Sequence, residues 1–104
     1  MTMKTYALLF FSLFALIGYG QTGIGTTTPN ASAKLDVVAT DKGFLPPRVT
    51  LTATNAFSPI TGTSSAATGL LVYNTASAGT IPNNVVPGYY YWNGSAWIQI
   101  SGGL

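Results

Sequence analysis

The chain has 104 residues, with four basic and two acidic side chains, no histidine and no cysteine. That length allows one small domain, and without cysteine no disulfide can staple it. The charges are too few and too scattered for a phosphate-binding patch, and the usual transition-metal ligands are missing.

The first element is a targeting pattern. Lys4 is followed by the uncharged run Tyr6 to Ile17, and small residues stand at Gly18 and Gly20. A basic start, a short apolar middle and a small-residue cleavage site make a secretory signal, here residues 1–20. The run is shorter than the roughly 20 residues a membrane-spanning helix needs, so no stable span is expected after cleavage. The protein is therefore expected to be exported, to the periplasm, the cell surface or the medium. What remains is rich in Thr, Ser, Gly and Asn, and after Arg48 it carries no charged side chain. Such a chain has few apolar side chains to bury. Borrowed core from other copies is the expected remedy.

Residues 21–34 read as an extended lead-in segment. Within it, Asn30 to Lys34 can form one turn capped by Asn30 or Ser32. Gly23 and Gly25 in GIGTTTP form a Gly-x-Gly, but no strand precedes them and no long helix follows, so a nucleotide loop is rejected. Leu35 to Thr40, LDVVAT, is β-branched and predicts a strand. Asp41-Lys-Gly43 is a turn. The prolines of GFLPPR make Phe44 to Arg48 an edge or crossing segment. Asn55 to Ala67 has linker composition. LLVYN, Leu70 to Asn74, predicts a strand, and Thr75 to Pro87 a loop. Residues 35–100 then constitute the β-rich module, with 101–104 a flexible tail. The fold class is all-β: a small hairpin-rich module with long loops, completed by oligomerisation.

GYYYWNGSAWIQI, Gly88 to Ile100, predicts a hairpin turning at Asn93 and Gly94. A two-residue turn would set Trp92 opposite Ser95, Tyr91 opposite Ala96, Tyr90 opposite Trp97 and Tyr89 opposite Ile98. Strand alternation then separates two faces. Tyr89, Tyr91, Ala96, Ile98 and Ile100 are expected to form the core, because Ala and Ile bring no polar atom. Tyr90, Trp92 and Trp97 are expected to lie on the other face, meeting a second subunit or a ligand. Asn30 and Asn93 match the N-glycosylation acceptor pattern, and both are accounted for by capping and turn roles instead.

No enzyme is expected and no cofactor. The carboxylate side chains are Asp36 and Asp41, the first in a strand pattern and the second in a turn; a serine nucleophile needs a base, for which lysine is the only candidate, and no local pattern supports one.

The succession GIGTTTP, AKLDVVATDKGFLPPRVT, TGLLVYNT and PGYYYWNGSAWIQI resembles a secreted, tail-fibre-like module of Bacteroidota. GFLPPR, TGLLVYN and YYWNGSAW carry most of the likeness. Such modules often lie upstream of a stalk and an endosialidase-type intramolecular chaperone. The resemblance implies a β-rich, fibre-like architecture, a homotrimer, and a part in adhesion or in a fibre head. A free-standing module and a shortened fibre gene both accommodate a chain of this length. Self-association is thus the leading expectation for partners, with a glycan or cell-surface partner also open and nucleic acid excluded. The competing function is a small carbohydrate-binding module using Tyr90, Trp92 and Trp97.

Overall fold

Among the described residues, β-branched and aromatic runs broken by Gly, Pro and Asn produce six short strands. The computed structural model describes residues 20–102. The signal-peptide reading, Gly20 apart, and the last two residues of the tail fall outside them. Among the described residues there is no α-helix, so the fold is all-β, and none of its elements is a helix long and apolar enough to cross a membrane. The chain divides between Phe44 and Leu45 into two compact units.

The first unit is a parallel pair. β1 (Thr22–Ile24) runs beside β2 (Leu35–Val37), with Thr22 opposite Leu35 and Ile24 opposite Val37. The extended lead-in segment thus contributes a strand that bonds to β2. Polar side chains shape the connection between the strands. Asn30 Oδ1 accepts the Ser32 N–H at 2.8 Å, and Asp36 Oδ2 accepts the Asn30 N–H at 2.8 Å. Gln21 Nε2 donates to the Asn30 and Ala31 carbonyls. The two glycines of the GIG stretch have steric reasons. Gly23 lies under Pro29, where a Cβ would come within 2.8 Å of the proline ring. Gly25 has φ +78° and rests against the Val38 carbonyl oxygen, where a methyl group would collide. The Val38 N–H still donates to the Ile24 carbonyl, and the ladder ends there, short of the predicted strand end at Thr40.

The second unit holds the core. Its sheet has the order β3-β4-β5-β6, formed by β3 (Arg48–Val49), β4 (Leu71–Asn74), β5 (Gly88–Trp92) and β6 (Trp97–Gln99). β3 runs parallel to β4, and the other neighbours are antiparallel. β3 is an edge strand, as Pro46 and Pro47 require. The Pro47 carbonyl accepts the Tyr73 N–H at 2.9 Å.

The segment of linker composition is no linker. Residues 50–70 cross the inner face of the sheet, and residues 75–87 fold back through an Ala78–Val85 bridge. They bring Leu51, Phe57, Ile60, Ala67 and Val85 onto Val72, Tyr90, Trp92 and Trp97.

Candidate self-association surface

The hairpin decides which side of the sheet is free. β5 and β6 join through four residues, Asn93 to Ala96, and the observed pairs are Trp92–Trp97, Tyr91–Ile98 and Tyr90–Gln99. The two-residue turn is therefore not adopted. A type I′ turn needs positive φ at both central residues, whereas only Gly94, at φ +102°, has it. Asn93 Oδ1 instead accepts the N–H groups of Ser95 and Ala96, at 2.9 and 2.8 Å, and caps a wider turn. Each partner moves by two positions, so the two faces keep their membership.

Their roles are the reverse of those expected. Tyr90, Trp92 and Trp97 are 2 %, 3 % and 1 % exposed and form the core. The chain's own loops close them off from solvent. The expectation undervalued what loops supply. The long connections cover one face with backbone as well as side chains, and their carbonyls satisfy the indoles. Trp92 Nε1 donates to the Ser64 carbonyl at 2.8 Å, and Trp97 Nε1 to the Ala56 carbonyl at 2.9 Å. The Tyr90 hydroxyl accepts the Val86 N–H at 3.1 Å. Phe57 lies parallel to Trp97 and edge-on to Trp92, with ring centroids 6.0 and 5.0 Å apart. Aromatic residues thus bring large apolar area inward at no cost in orphaned polar atoms. The carbohydrate reading loses the platform it was built on.

Asn74 shares this interior and was missed. It is wholly buried at the end of β4. Its Oδ1 accepts the Leu51 and Ala76 N–H groups, and its Nδ2 donates to the Ala76 and Val86 carbonyls. One amide ties three segments together. An Asn closing an otherwise apolar strand is the signal that could have pointed to it.

The outer face is left open. Leu71, Tyr91 and Ile98 lie side by side across β4, β5 and β6. Arg48, Tyr73 and Tyr89 form the next row, which Ile100 extends by donating its N–H to the Tyr89 carbonyl at 2.8 Å. Tyr73 and Tyr89 meet edge-on at 4.9 Å. Leu71, Tyr89, Tyr91, Ile98 and Ile100 are each between 37 % and 50 % exposed. Antiparallel sheets with one wet face ordinarily show polar side chains there. This face shows apolar and aromatic ones, with Arg48 as its single charge at the β3 edge. Such an apolar face is a candidate interaction surface.

The family described as "Phage tail like trimerisation region" matches residues 23–103. The chain belongs to this family. The match spans both units and every strand of the sheet, and it names an assembly rather than a reaction. Self-association is therefore a property of the phage tail-like trimerisation family that the open face can serve. No curated protein and no solved structure matches the chain.

Proposed function

We propose that this chain is a non-enzymatic structural module of an exported, fibre-like surface protein, and that it holds three copies together through the outer face of its four-stranded sheet. The observation that carries this reading is the open row of Leu71, Tyr91 and Ile98, backed by Tyr73, Tyr89 and Ile100, opposite a core that is already full. Membership of a trimerisation family supports further copies of the same chain as the occupant. Three faces meeting around a common axis would bury these side chains and close the sheets to water. The basic, apolar and small-residue order of residues 1–20 supports export.

Light scattering coupled to size-exclusion chromatography tests the reading. The expected result is a mass three times that of one chain, which Tyr91→Lys or Ile98→Lys reduces to that of a folded monomer. Thr61→Lys, on an exposed loop, should leave the trimer intact. A wild type that remains a well-folded monomer at every concentration would rule the reading out.

A further inference from the structure

The first unit cannot account for its own order. An isolated two-stranded sheet is marginal in water, and parallel strands ordinarily occur with both faces covered. β1 and β2 are three residues each, and among the described residues no third strand joins them. None of residues 20–44 is buried. The pair nevertheless has two unlike faces. Gly23 and Asp36 point to one, which the connecting segment closes with Pro29 and with the Asn30 N–H on the Asp36 carboxylate. Ile24, Leu35 and Val37 point to the other. They are 56 %, 52 % and 43 % exposed, and no charge accompanies them. A ladder with one closed face and one open apolar face is half of a packed structure.

We propose that the same pair from the other copies supplies the other half. Ile24, Leu35 and Val37 of each chain close a second apolar seam, and the β1–β2 ladder holds its structure only in the assembly. This rests on the trimeric reading above. The family match names the occupant, because the trimerisation region begins at residue 23, inside β1, and so includes this pair. Within the chain, the rival occupant is the apolar run Tyr6 to Ile17. If it covered the face, the ladder would be ordered in a monomer.

Hydrogen exchange on the full chain separates these cases. Two amides report on the ladder: Thr22, which donates to the Lys34 carbonyl at 2.9 Å, and Val38, which donates to the Ile24 carbonyl at 2.8 Å. Samples would span the concentration range over which sedimentation shows the trimer dissociating. Protection at both amides is expected to follow the trimer fraction, while β4, β5 and β6 stay protected throughout. Ile24→Lys and Leu35→Lys are expected to speed exchange across residues 22–38 by at least about tenfold. They should leave tryptophan fluorescence unchanged. Thr27→Lys, on the exposed connection, should have no effect. Equal protection in a verified monomer overturns the proposal, whether the ladder is self-sufficient or covered by Tyr6 to Ile17. A stable trimer with freely exchanging ladder amides overturns it while leaving the proposed function standing. A wild type that never associates overturns both.

Discussion

Asn74 shows how one polar side chain can organise an apolar interior. Its amide makes four hydrogen bonds, to Leu51, twice to Ala76, and to Val86. Replacing it by Leu keeps the branching of the side chain but leaves the Leu51 N–H, itself buried, without a partner. A lost network of this kind costs roughly 2–4 kcal/mol. Urea unfolding of Asn74→Leu should show that loss, and an unchanged midpoint would mean the network is dispensable. Tyr90→Phe is gentler. It removes one acceptor, for the Val86 N–H, and should cost about 1 kcal/mol in the same assay.

At the scale of elements, Gly25 and the Asn93 turn contrast. Gly25 is held at φ +78° with the Val38 carbonyl against its Cα. Gly25→Ala adds a steric collision to roughly 1–2 kcal/mol of left-handed backbone strain. That damage should stay within the β1–β2 pair, because the tryptophan core belongs to the other unit. Circular dichroism in the aromatic region should be unchanged while the Val38 amide loses protection. Collapse of the aromatic signal would show that the two units do not fold independently. Asn93 instead sets register. By capping a four-residue connection it pairs Trp92 with Trp97, whose rings meet at 5.1 Å.

For the whole molecule, assembly through the outer face, as proposed, would take its character from the side chains there. The one charged side chain of that face is Arg48, so an association through it would owe little to coulombic attraction. The trimer should persist from roughly 0.05 to 1 M sodium chloride, because salt screens charge but does not weaken apolar burial. The chain has no histidine or cysteine, and histidine is the side chain whose charge ordinarily changes between about pH 5 and 8. Sedimentation across that range should show no dissociation. A steep loss of trimer with salt would mean that Arg48 or the lysines, rather than the apolar rows, hold the copies together.

Much of this was local enough to read from residues. The β-branched runs at Leu35 and Leu70, the two prolines before Arg48 and the alternation of GYYYWNGSAWIQI determined the all-β class, the edge position of β3 and the membership of each hairpin face, because propensity, missing donors and side-chain period act over a few residues. The inward side of the sheet was not local. It depended on where residues 50–70 and 75–87 cross the strands, and on the carbonyls of Ala56 and Ser64 arriving beside two indoles from far along the chain. The pairing of the lead-in segment with Leu35–Val37 was equally out of reach, since a parallel ladder depends on a connection whose path no short pattern states. Residue type and spacing were enough to say which side chains travel together. Which of them are buried depended on the folded chain, because a face becomes interior when distant chain covers it and satisfies its polar atoms.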